Sequence, residues 1–289
     1  VDGQVWYDST AADFKYQYAN LTTAAWSTGG NLNTARVFLA GAGTQTSTLA
    51  FGGNPGIVAL TESYNGSAWT EVADLNTGRF ALAGAGVSNT SALAFGGRPS
   101  PTPVGAETES WNGSSWTEVN DLNTARSTLT GGGTNTSALA FGGTTNSTEL
   151  WNGTSWTANP SSLNTSRNYL GGVATDSTSA LAFGGGPNLA ITESWNGSSW
   201  TEVADLNTGR EALAGAGINT SALAFGGTSP ATGKTELWNG SAWTETTDLS
   251  TARGASGGAG TQTSALAFGG YITGVTAATE EWLGAGQPV

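Results

Sequence analysis

Nine basic residues serve a chain of 289, and six of them fall at one repeated position. Arg36, Arg79, Arg126, Arg167, Arg210 and Arg253 each close a stretch resembling Leu-Asn-Thr-Ala-Arg. Two chemistries fit such a set. Gathered around an axis, six guanidiniums could hold an anion or an acidic sugar. Paired one by one with repeated glutamates, such as Glu62 and Glu109, they would instead brace neighbouring strands. A buried guanidinium without a partner is costly, so the repeated glutamates favour bracing.

Carboxylates raise a second chemistry, glycoside hydrolysis by paired acids. Most of them also recur in register: Glu109, Glu149, Glu193 and Glu236 in one series, Glu71, Glu118, Glu202 and Glu245 in another. Asp176 and Glu211 break the pattern, and neither has a partner in sequence. Such regularity argues against one asymmetric catalytic centre. Histidine and cysteine are absent, which removes the ligand set of a copper oxidase and any thiol chemistry. There is no Asp-x-Asp-x-Asp-Gly loop for calcium, so no metal or cofactor is expected. A net charge of −12 makes nucleic acid and anionic membrane poor partners. No apolar run is long enough to span a bilayer, which reads as a soluble chain. Methionine is missing as well, so the chain reads as a processed or partial product.

These residues sit in a repeat. TSALAFGG stands at 90–97, 136–143, 178–185, 220–227 and 263–270, with TSTLAFGG at 46–53. The phenylalanines Phe51, Phe95, Phe141, Phe183, Phe225 and Phe268 are spaced 42 to 46 residues apart. That is the period of a small antiparallel sheet repeated as a propeller blade. Each unit resolves into four strands. A Gly/Ala-rich run (81–87 in one unit) is the innermost, and SALAF is the second. The third and fourth are joined at Asn-Gly, the strongest short hairpin signal. The doublet after Phe ends the second strand where a positive φ is required.

Six blades with two aromatic slots each need twelve aromatics. Tyr64/Trp69, Trp111/Trp116, Trp151/Trp156, Trp195/Trp200 and Trp238/Trp243 fill ten; Trp282 near the end and Trp26 near the start fill the remaining two. The spacing predicts an all-β, six-bladed β-propeller whose last blade is closed by an N-terminal strand, leaving no open edge. Expected boundaries are an N-terminal hairpin segment at 1–20, the propeller at 21–284 and a tail at 285–289.

The Gly-Gly doublet, the paired aromatics and the arginine at the start of the inner strand resemble the kelch-type repeat. That resemblance implies a binding scaffold more often than an enzyme. Sialidases are also six-bladed, but their S-x-D-x-G-x-x-W turn is not matched by SWNGSSW. Outside the repeats, GQVWYDSTAADFKYQ at 3–17 is similar to hairpin segments of bacteriophage tail-fibre and other virion appendage proteins. The Ala/Gly/Thr-rich repeats likewise resemble those of marine phage structural proteins.

Between second and third strands the wording is free: GGNPGIVAL, GGRPSPTPVGAE, GGTTNST, GGGPNLA, GGTSPATGK and GGYITGVTAA. Variation within a rigid repeat marks the face that carries function, and Arg98, Lys234 and Tyr271 are the residues there with reach. The expected function is that of a non-enzymatic virion protein, a phage tail fibre or surface decoration, presenting these loops. Its location would be the virion or the extracellular space. Its partners would be other virion proteins or a host-surface glycan or protein, with homo-oligomers left open. A secreted or cell-surface bacterial kelch-like binding protein and a glycan-cleaving enzyme are the alternatives.

Overall fold

The computed structural model describes residues 5–8, 10, 13–16, 23–101, 103–228 and 230–285. The chain forms six four-stranded antiparallel sheets arranged as the blades of a β-propeller, with no helix among the described residues. In blade 2 the strands run from the axis outward as Ala83–Ser88, Ser91–Phe95, Thr108–Trp111 and Trp116–Val119. Blade 6 takes Gly257–Gly260, Ser264–Phe268 and Thr279–Leu283 from the end of the chain and Ala25–Thr28 from its start. Trp282 lies opposite Trp26, and Leu283 opposite Ala25, in that final pairing.

Of the segment at 1–20, the backbone of Val5–Asp8 pairs with Asp13–Tyr16 as a hairpin. The remainder of that segment, Thr10 apart, and tail residues 286–289 lie outside the described residues.

Why the inner strands are written in Gly and Ala is plain from their neighbours. The second residue of each inner strand (Gly41, Gly84, Gly131, Gly172, Gly215 or Gly258) receives the Phe ring tip of the preceding blade. A Cβ built on any of the six would stand 2.5 to 2.9 Å from that ring, closer than packed carbon atoms come. The phenylalanines themselves are fully buried, as is the SALAF strand on both faces. Glycine and phenylalanine are thus one lock, repeated around the ring.

Polar bonds repeat in the same sense. Each outer-strand indole donates to the Thr hydroxyl that opens the third strand of the preceding blade: Trp116 to Thr61 at 3.0 Å, Trp156 to Thr108 at 3.0 Å, Trp69 to Thr279 at 3.1 Å. The second glycine of each doublet donates to the carbonyl of the next blade's arginine, from Gly53 to Arg79 (2.9 Å) round to Gly270 and Arg36 (2.8 Å). The first glycine sits at φ 64° to 69°, in the left-handed region where a side chain is strained.

The inner strand of blade 2 begins at Ala83 rather than Ala81. Ala81 adopts φ 54° and donates its N–H to Phe38 of blade 1, so it is withdrawn from its own sheet. The arginine therefore lies in the connection before the inner strand, not at its first residue. A further short ladder, Arg79–Phe80 with Arg98–Pro99, forms where the longest loop folds back on that connection.

Candidate functional site

Connections between second and third strands, and those leading from each blade to the next, share one face. The strand 1–2 and 3–4 turns share the other. On the loop face, the residue two places after each repeated arginine has a positive φ: Phe38, Ala81, Thr128, Tyr169, Ala212 and Ala255, all between 52° and 57°. Each donates its N–H to the carbonyl of its counterpart in the preceding blade, at 2.7 to 3.1 Å, and Phe38 closes the circle on Ala255. Six backbone bonds thus encircle the axis. Below them runs a channel of about 220 Å³, walled by the Gly/Ala inner strands.

Side chains on this ring are alanine in three blades and phenylalanine, threonine and tyrosine in the others, whereas the arginine two places before does not vary. Phe38 of blade 1 and Tyr169 of blade 4 meet across the axis with ring centroids 5.6 Å apart. Phe80 of blade 2 stands 6.4 Å from Phe38. Phe38 and Tyr169 therefore span the mouth of the channel, with Phe80 flanking them. Just outside them is a second circle in which the residue after each arginine faces the residue after each Gly-Gly doublet: Val37 with Asn54, Phe80 with Arg98, Glu211 with Thr228, Gly254 with Tyr271. The result is a shallow cup of mixed chemistry on the axis.

The six repeated arginines do not face the cup. Each is buried and paired with a buried glutamate of its own blade, from Arg36–Glu62 at 2.8 Å to Arg126–Glu149 at 3.2 Å and Arg253–Glu280 at 2.5 Å. Their terminal nitrogens also bind loop carbonyls, as Arg36 does Gly52 and Leu60. Each carboxylate is completed by the turn beneath it; the Glu62 Oε2 accepts from the Asn33 backbone and side chain. Burial lowers the pKa of Arg36, Arg79, Arg167 and Arg253, and that of Arg126 to about 10, while the attached glutamate pulls each back. These pairs fasten the blade-to-blade connection to its sheet and leave no cationic ring for a ligand.

The three loop residues fare differently. Lys234 forms an exposed ion pair with Glu245 at 2.8 Å and bonds Thr208, so its charge is engaged on the outer rim. Tyr271 is 46% exposed and bridges Gly254 and Val275 near the cup. Arg98 lies over the Phe80 ring at 6.0 Å and donates from Nε to Ser127 Oγ at 3.0 Å. Seven of the eight basic side chains in residues 23–285 have a carboxylate within 3.2 Å; Arg98 is the exception among the described residues.

The two irregular carboxylates lie on opposite faces. Asp176 ends an inner strand on the turn face, where it caps Thr178. Glu211 bridges Thr228 on the loop face. An inner strand of six residues spans roughly 20 Å, far beyond the separation at which two carboxylates share one glycosidic bond. No three His, Cys, Asp or Glu side chains are grouped to hold a metal ion, and no helix is long and apolar enough to cross a membrane, among the described residues.

Sequence reasoning found the loop face but missed the aromatic line, because Phe38, Phe80 and Tyr169 belong to three different blades. Phe38 and Tyr169 share one offset, two places after a repeated arginine, which was the available signal; Phe80, one place after Arg79, does not share it.

No protein-family model matches the sequence, and no curated protein does. Among solved structures 377 chains match, so the fold by itself singles out no activity. One, described as "Structure of YjhT", aligns with a TM-score of 0.72 over 87% of this chain and 96% of that one, at 14% identity. This likeness is one of fold.

Proposed function

We propose that the protein is a non-enzymatic module of a virion appendage that presents its loop face to a host-surface glycan or protein. One observation carries the reading: the chain enters and leaves the propeller on one face, and its loops vary on the other. Ala25 is paired with Leu283 at the turn-face end of blade 6, so both ends of the ring leave from that face. Variation in loop length and chemistry is gathered on the other. A scaffold held at one face and diversified at the opposite one suits presentation. The kelch-type wording of the repeat and the fibre-like segment at 3–17 support the same assignment. With Asp176 and Glu211 on opposite faces, the carboxylates best placed for hydrolysis do not converge; of the repeated ones, the Glu109 series is locked to the buried arginines and Glu71, Glu118 and Glu202 lie exposed on the outer strands.

The test replaces residues 97–107, and separately 270–278, with the short loop GTTNS of blade 3 (143–147). Both grafts should melt like the parent, since each keeps the doublet glycine and a carbonyl for the arginine. Loss of attachment to host cells by a folded graft supports presentation. Attachment unchanged in both sinks it, and hydrolysis of a glycan by the intact chain overturns the non-enzymatic assignment. Mass spectrometry of purified particles checks the virion location.

A further inference from the structure

We infer that the axial cup holds a single acidic sugar residue, its carboxylate on Arg98 and its ring over the Phe80–Phe38 pair. This deepens the presentation reading and rests on it for the source of the sugar.

The cation comes first. Every other basic side chain of the propeller is matched to a carboxylate, six of them in buried pairs and Lys234 at the rim. Arg98 has one anchoring bond, from Nε to Ser127, and that bond fixes the plane of the guanidinium. Its two terminal nitrogens have no acceptor among the described residues. A planar fork with two free N–H edges is the geometry that receives one carboxylate bidentately.

Next to the fork lies an apolar floor of three rings, tilted 55° and 46° from one to the next. Phe80 is 6.0 Å from the guanidinium carbon, Phe38 is 6.4 Å from Phe80, and Tyr169 is 5.6 Å from Phe38. All three rings are partly exposed. Aromatic faces in a shallow site suit the carbon-bound hydrogens of a pyranose, and the polar neighbours then read its hydroxyls. Asn168 precedes Tyr169, and its side-chain amide makes no hydrogen bond among the described residues. Thr128 on the same ring is buried, and its hydroxyl donates to the Ser127 carbonyl, which leaves Asn168 as the polar neighbour.

Net charge decides how many acid groups the ligand carries. With six arginines neutralised internally, the surface around the cup belongs to a chain of net charge −12. One open cation matches one carboxylate, while an acidic peptide would meet repulsion from its second acid onward.

The experiment titrates the full chain with sodium D-glucuronate, D-glucose, inorganic phosphate and hexaglutamate, following binding by ligand-observed NMR and calorimetry. Glucuronate should bind, glucose more weakly, and Arg98→Gln should weaken glucuronate roughly tenfold or more. Phe38→Ala should weaken both sugars without lowering the melting temperature, since alanine already holds that conformation at Ala81, Ala212 and Ala255. Equal affinity for glucose and glucuronate, or no effect of Arg98→Gln, overturns the assignment. So does phosphate competing as well as glucuronate, which means a bare anion on Arg98, or tighter binding of hexaglutamate, which means a peptide. Absence of glucuronate binding also removes it; should the grafts still abolish attachment, presentation survives and the cup alone is lost. Glucuronate binding with attachment intact in both grafts leaves the cup and discards presentation.

Discussion

Trp26 donates its indole N–H to Thr235 Oγ1 at 3.1 Å. It is the bond that Trp243 makes to Thr192 and Trp200 to Thr148. Yet Trp26 comes from the start of the chain and Thr235 from its fifth blade. The N-terminal strand that completes blade 6 is thus fastened to blade 5 by the same contact that joins the other consecutive blades.

Deleting residues 1–28 removes the outer strand of blade 6 and leaves Thr279–Leu283 as an unpaired edge, a template for association. The truncated chain should elute as aggregates and melt far below the parent. Trp26→Ala in the full chain should cost about 3–5 kcal/mol, read from chemical denaturation. A truncated chain that is monomeric with unchanged melting refutes the shared blade.

Gly84→Ala places a methyl group 2.6 Å from the Phe51 ring and 2.8 Å from the Gly41 carbonyl. Overpacking of this kind costs about 1–3 kcal/mol, and more where backbone cannot yield. Gly274→Ala meets nothing within 4 Å and should shift stability by less than about 0.5 kcal/mol. Denaturant midpoints of the two variants check the contrast.

Glu149→Gln leaves Arg126 buried with its charge unmatched. The expected loss is about 3–5 kcal/mol, a large part of a domain's ~5–15 kcal/mol. Replacing both residues, Arg126→Met with Glu149→Leu, should recover much of it, because the desolvation penalty goes with the charges. A double variant as unstable as the single one would show that the loop carbonyl bonds of Arg126, such as that to Ser147, matter more than the ion pair.

Tyr64 takes the slot that tryptophan fills elsewhere, and its hydroxyl donates to Glu281 at 2.5 Å. Burial, reinforced by that carboxylate, pushes its pKa up from 10.0 to about 12. The folded state then holds this proton more tightly than the unfolded one. The resulting stability is full below pH 10 and is lost as pH rises towards 12. Phenolate absorbance should show one late-titrating tyrosine, missing in Tyr64→Phe, and that variant's melting temperature should fall less steeply between pH 10 and 12.

The sheets and their closure were legible because the aromatic slots, the Asn-Gly turns and the doublets repeat at a fixed period. The count of twelve aromatic slots places Trp26 in the last blade beside Trp282, and it pairs there. The circle of positive-φ residues was not legible. Phe38, Thr128 and Tyr169 have no local preference for that conformation, and only the bonds between neighbouring blades impose it. Arg98 was visible as a loop residue with reach, but its singularity among the described residues emerges only once the propeller's other seven cations are matched to their carboxylates. The Phe80–Phe38–Tyr169 line needed the blades superposed in space, since nothing in linear order brings blade 1 against blade 4.

Because every seam in the ring is made from the same bonds, the order in which the blades are synthesised carries no structural information. A circular permutant could open in the Asn-Gly turn of blade 3, between Gly153 and Thr154, with the original ends bridged by a short linker beside Ala25 and Leu283. It should close through a different pair of strands and reach the same melting temperature. Its new ends would still emerge from the turn face, so such a module could be moved between carriers without turning its working surface inward.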